Sequence, residues 1–119
     1  MMRFRLAQPA QSDLVNSLLT SEERWGAEGR LRYTKLLAAG MRTVAANPEG
    51  PLTQSRNELS PGIRSFHLRH SRVDAQEPKV KKPVHILYYR VVQAGIVEIV
   101  RILHERMEPR RHLSAAAEE

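Results

Sequence analysis

Four arginines fall where strands are predicted: Arg64, Arg69, Arg90 and Arg101. The strands that carry them are consecutive in the chain, so in a paired sheet their guanidinium groups can converge on one surface. Such a cluster binds phosphates or carboxylates through planar donor forks. The competing reading is a solvated sheet face with snorkelling arginines. Five histidines, His67, His70, His85, His104 and His112, add proton-transfer capacity. His67 and His70 are three apart on a predicted strand, which places them on opposite faces. No pair has the i, i+4 helical spacing of a zinc protease, so no metal site and no cofactor are expected. There is no Gly-x-Ser-x-Gly, no phosphate-binding glycine loop and no cysteine nucleophile. Asp13 and Asp74 are the only aspartates, on a helix and a loop, and show no carboxylate pair for acid–base work. Glu98, three residues before Arg101, offsets nearby arginine charge. Trp25 is a hinge or core anchor rather than a stacking platform, and Lys79, Lys81 and Lys82 form a solvated run.

The chain that must position these groups has 119 residues, enough for one domain with a modest core. Two Phe, three Tyr and one Trp leave that core to Leu, Ile and Val. The net charge is +6, with eleven Lys/Arg against five Asp/Glu in residues 64–112 and eight against six in residues 1–63. This balance fits a nucleic acid, an anionic membrane surface or an acidic protein as partner. The absence of cysteine fits a reducing compartment. The N-terminus lacks the apolar run of a signal peptide, and no apolar stretch reaches the roughly 18 residues of a membrane span. A cytoplasmic protein with no membrane partner is expected.

Alternating charge makes residues 3–7 a short strand that ends at Pro9. Leu14, Val15, Leu18 and Leu19 mark a helix over residues 10–25, and Gly26 permits a break. Tyr33, Leu36, Leu37, Met41 and Val44 mark a second helix over residues 27–46. Gly40 on that stripe points to close packing, and Asn47-Pro48-Glu49-Gly50-Pro51 is a stop. Residues 51–62 read as a loop, 63–70 as a strand and 70–83 as a long surface loop. Residues 84–92 and 96–104 are the best strands, apolar on both faces and therefore interior. The order is β-α-α-β-β-β: an α+β, two-layer arrangement with a helical hairpin packed on a small, mostly antiparallel sheet. Residues 1–113 form one domain, and 114–119 are a disordered tail.

The series Tyr89-Arg90, Gly95, Val97-Glu98-Ile99, Arg101-Ile102-Leu103-His104 and Arg111-His112-Leu113 resembles the C-terminal half of ParE-like toxins of the RelE/ParE toxin–antitoxin superfamily. Glu23-Arg24-Trp25-Gly26, Asn47-Pro48 and Gly62-Ile63-Arg64-Ser65-Phe66 extend the likeness from Phe4 to Leu113. The resemblance implies a type II toxin that inhibits growth by poisoning DNA gyrase. It also implies silencing in a hetero-oligomer with a ParD-like antitoxin that carries a ribbon-helix-helix domain. RelE-like relatives are instead ribosome-dependent mRNA endoribonucleases. They need a basic cluster and an acid–base group near the C-terminus. His104, Arg106, Arg110, Arg111 and His112 are present here, but no tyrosine follows Tyr89, so a non-catalytic inhibitor is favoured. Charge alone also fits a small nucleic-acid-binding domain. Under the favoured reading Arg90, Arg101, His104 and Arg106 contact the target. Leu14, Leu18, Leu37 and Met41 on the hairpin contact the antitoxin.

Overall fold

The computed structural model describes residues 3–72 and 80–118. Strand β1 (Arg3–Leu6) leads into helix α1 (Gln8–Ala46), then β2 (Gln54–Ser55), β3 (Arg64–His67) and a 3-10 turn (Leu68–Ser71). The chain continues through β4 (His85–Gln93), β5 (Ile96–His104) and helix α2 (Pro109–Glu118). The sheet order is β1-β5-β4-β3-β2. Only β1 runs parallel to its neighbour; β2–β3, β3–β4 and β4–β5 are antiparallel. The mostly antiparallel α+β architecture is therefore as expected.

Helix α1 breaks at Gly26, whose φ of 74° and ψ of −172° lie in a region open essentially to glycine alone. Ser17 and Tyr33 flank that break, and both hydrogen-bond one imidazole, that of His85. In a straight helix residues sixteen apart would be separated by about 24 Å. The two arms of α1 therefore fold back on one another as a hairpin. Trp25 is 69% exposed and marks the hinge rather than anchoring the core.

The two arms are held differently. The second arm buries Leu36, Leu37, Met41 and Val44 against Phe66, Leu87 and Ile99 of the sheet. Full burial stabilises each such side chain by about 1.5–3 kcal/mol. Gly40 admits the close approach: a Cβ there would stand 2.6 Å from Leu68 Cδ2. The first arm buries only Ala10 and Ser17, with Leu14 and Leu18 partly covered. It leans instead on polar links to the sheet.

Two sequence expectations change. The strand over 63–70 stops at His67, because the His67 ring accepts the Arg69 N–H and turns the chain into the 3-10 turn. The outer sheet face is not a bare second layer. Helix α2 returns across it and buries Leu113 among Ile63, Tyr88, Val100 and Leu103. Of the 70–83 loop, residues 73–79 lie outside the described residues.

Candidate functional site

The residues expected to meet the target lie on β4, β5 and the turn after it. The register sets Arg90 and Arg5 opposite Glu98. Glu98 Oε1 accepts from Arg90 Nη2 at 3.0 Å, and Oε2 accepts from Arg5 Nε at 3.2 Å. Glu98 thus offsets two arginines, neither of them Arg101. The β4–β5 pairing shifts between Tyr88 and Tyr89, where Val100 is the extra residue. Arg101 follows that bulge, beyond the end of β1.

There Arg101 meets Asp13 of the first arm. Its Nε and Nη2 donate to the two carboxylate oxygens at 2.7 and 2.9 Å. Asp13 also accepts the Ile102 N–H at 2.9 Å, and Arg101 Nη1 donates to the His112 carbonyl at 3.3 Å. The hydrogen bond to Asp13 pushes the Arg101 pKa up further. Arg101 therefore ties the first arm, β5 and α2 together. Arg90 and Arg101, expected to share a face, are each engaged by a different carboxylate.

His104 and Arg106 form the adjoining part of the surface. The Arg106 N–H donates to His104 Nδ1 at 3.1 Å, and the Arg106 side chain is exposed. His104 packs edge-on against His85, with ring centroids 5.7 Å apart. His85 stands at the centre of a directional relay. The Val84 N–H donates to Tyr33 Oη, which donates to His85 Nδ1 at 2.6 Å. With Nδ1 an acceptor, the neutral ring carries its proton on Nε2 and donates to Ser17 Oγ at 3.3 Å. Ser17 Oγ in turn donates to the Asp13 carbonyl. Burial, then the nearby His104, hold the His85 pKa down to about 4. Burial likewise pushes Tyr33 up to about 12. A neutral imidazole with both nitrogens engaged is a structural post, not a proton shuttle. Among the described residues no cluster of His, Asp and Glu has metal-holding geometry.

On the hairpin, Leu37 and Met41 are core residues, 1% and 4% exposed, and offer a partner no surface. Leu14 and Leu18 pack partly against the same core. The exposed apolar residues are instead Val15, Leu19, Trp25 and Leu31. The period-3.6 stripe located the inner face of the hairpin, and its shoulder, Val15 and Leu19, was the available signal for the outer one. Asp13, Ser17 and Tyr33 escaped sequence reasoning because their partners lie far away in the chain.

The fold and these surfaces define a small basic α+β protein: a helical hairpin on a five-stranded sheet, with cationic residues at the end of the last long strand. A chain of the chromosomal ParDE TA system from P. aeruginosa has the same fold, with a TM-score of 0.61 at 17% identity over 87% of this chain and 96% of that one. The family described as the ParE toxin of the type II toxin–antitoxin system, parDE, matches residues 4–109, and the chain belongs to that family. Toxin ParE1 of Caulobacter vibrioides is 32% identical over 114 residues, 95% of this chain and 99% of that protein. Toxin ParE1 of Mycobacterium tuberculosis is 30% identical over 111 residues, 93% and 97% of the two chains.

Proposed function

We propose that this chain is the toxin of a ParDE-type module that stops growth by binding DNA gyrase rather than by cutting RNA, and that a ParD-like ribbon-helix-helix antitoxin silences it in a hetero-oligomer. The observation that carries the non-catalytic reading is the state of the C-terminal cluster. Arg101 is engaged by Asp13 and Arg90 by Glu98, His104 Nδ1 accepts the Arg106 N–H, and no tyrosine follows Tyr89 to complete the acid–base set. Phosphodiester cleavage needs a free proton donor and acceptor flanking the phosphate, with cations on the transition state. The residues left exposed there, with Arg106 foremost, suit recognition of an acidic protein surface.

The antitoxin reading rests on the hairpin. Val15 and Leu19 lie four apart on one helical face and are 56% and 48% exposed. An amphipathic segment that gains order on binding would cover them, and acidic residues in it would complement the net charge of +6. Induction of the chain without antitoxin tests the whole reading. DNA synthesis should stop first, while mRNA stays intact and protein synthesis persists. Rapid loss of intact mRNA with DNA synthesis unaffected would replace the proposal by the ribonuclease. Hydrogen exchange across residues 10–46 should slow when antitoxin is added, and unchanged exchange would remove the hairpin as its dock.

A further inference from the structure

A cleft of about 240 Å³ opens on the outer sheet face, bordered at Glu105 by the turn that carries His104 and Arg106. Ser65 pairs with Tyr88, and His67 with Ile86, so the floor belongs to the face that α2 covers only in part. The early end of β3 brings His67 and His70 to the same cleft, although strand alternation would have separated them. Arg56 and Arg69 supply its cationic walls. Arg56 Nε is held by Glu58 at 2.7 Å, and its guanidinium lies over the Tyr88 ring, which fixes it at the rim. Ser65 and Gln54 add neutral hydrogen-bonding groups. Leu52 and Ile86 form an apolar patch in the same cavity. Among the described residues Glu105 is the one carboxylate on the lining, and the His67 Nε2–H engages it at 3.1 Å.

A carboxylate is satisfied by a single arginine fork, whereas a phosphate presents three acceptor oxygens in different directions. Two arginines, the His70 imidazole, a hydroxyl and an amide converging from β2 and the residue after it, β3 and the 3-10 turn match the second pattern, while His67, held by Glu105 and the Arg69 N–H, fixes the wall between them. The apolar patch beside them matches a ring rather than a bare ion. We propose that this cleft binds a nucleotide, its phosphate toward Arg56 and Arg69 and its base or sugar against Leu52 and Ile86.

The surroundings of His70 make the binding depend on pH. Its ring rests on Phe66, with centroids 5.6 Å apart. Burial, then the charges of Arg69 and His67, depress its pKa, while Arg56 and Glu105 complete the charged lining. A bound phosphate reverses that pressure, so His70 takes up a proton on binding and its contribution to affinity grows as pH falls, against the loss of charge of the phosphate itself at about pH 6.

The test follows the His67 and His70 ring signals by NMR as adenosine monophosphate is added to the full chain. Saturable shifts are expected; because the phosphate itself takes up a proton at about pH 6, the His70 contribution is read as the difference between the wild-type and His70→Gln pH profiles, the variant losing affinity relative to wild type as pH falls. Inorganic phosphate and adenosine should each bind more weakly. Arg69→Ala changes an exposed residue and keeps the backbone N–H that caps the turn; it should weaken binding about tenfold. Leu52→Ser, also at an exposed position, should weaken the nucleotide but not inorganic phosphate. The proposal falls if the ring signals stay unmoved up to roughly 10 mM nucleotide, a threshold weaker than millimolar affinity. It also falls if Arg69→Ala binds as wild type or if phosphate alone binds as tightly as the nucleotide. Displacement of the nucleotide by polyglutamate at a lower concentration would reassign the cleft to an acidic peptide.

Discussion

Asp13→Ala removes one carboxylate and strands two donors. The Arg101 guanidinium loses both of its bonds to Asp13, and the Ile102 N–H loses its acceptor. The side chains of Asp13 and Arg101 are 12% and 18% exposed, so water replaces the lost partner only in part. Breaking a buried pair by removing one member costs about 3–5 kcal/mol. Residual solvation lowers that figure and the orphaned N–H raises it, leaving about 3–4 kcal/mol. The loss falls on the first arm of α1, which buries little apolar surface of its own. In urea, with m near 1.5 kcal/mol/M, the midpoint should drop by about 2 M. Far-UV circular dichroism during urea titration reads this directly. Asp13→Leu combined with Arg101→Met should recover the part of the loss due to the stranded charge, leaving the cost of the Ile102 N–H without its acceptor. A drop below about 1 kcal/mol for Asp13→Ala would refute the reasoning. The pair would then behave as an exposed one, and Arg101 would again be available to a target.

Three further outcomes follow from the same geometry. The His85 pKa lies at about 4 against 6.5 for an ordinary histidine, so the unfolded chain takes up its proton first as pH falls. His104, Asp13, His67 and Glu105 face the same ring. Stability is then complete above 6.5 and declines toward 4, by about 2 kcal/mol between pH 7 and pH 5. Thermal melts across that window should show the decline, and His85→Gln should flatten it. Gly26→Ala should cost about 1–3 kcal/mol from backbone conformation alone, since a Cβ there meets nothing within 4 Å; an unchanged melting temperature would deny the fold-back. Leu37→Ala should destabilise by about 2–5 kcal/mol, whereas Leu19→Asp should leave melting alone and weaken antitoxin binding about tenfold by calorimetry.

The helices and long strands were legible because apolar periodicity reports burial residue by residue. Leu36, Leu37, Met41 and Val44 repeat at helical spacing, and all four face the sheet. The same stripe misled the choice of antitoxin contacts, since the residues that mark a helix most strongly are those the core removes from reach. The break at Gly26 was also legible, whereas the partner of Arg101 was not. Glu98 stands three residues away and Asp13 eighty-eight, and only the bulge and the fold-back choose between them. The burial of Leu113 was hidden for a different reason. It is a lone apolar residue in the basic stretch Arg110-Arg111-His112, too short to show a period. The outer cleft was invisible because one His67 side-chain bond converts expected strand into 3-10 turn and reverses where His70 points.

The central claim, a toxin that acts on gyrase without chemistry of its own, is tested most directly in a purified system. Gyrase, plasmid DNA and this chain are combined, and cleaved DNA held covalently on gyrase is measured with and without antitoxin. The account predicts that such complexes accumulate, that antitoxin suppresses them, and that mRNA on ribosomes stays uncut at the same concentration of the chain. Undiminished supercoiling with no trapped complexes, together with cut mRNA, would contradict it.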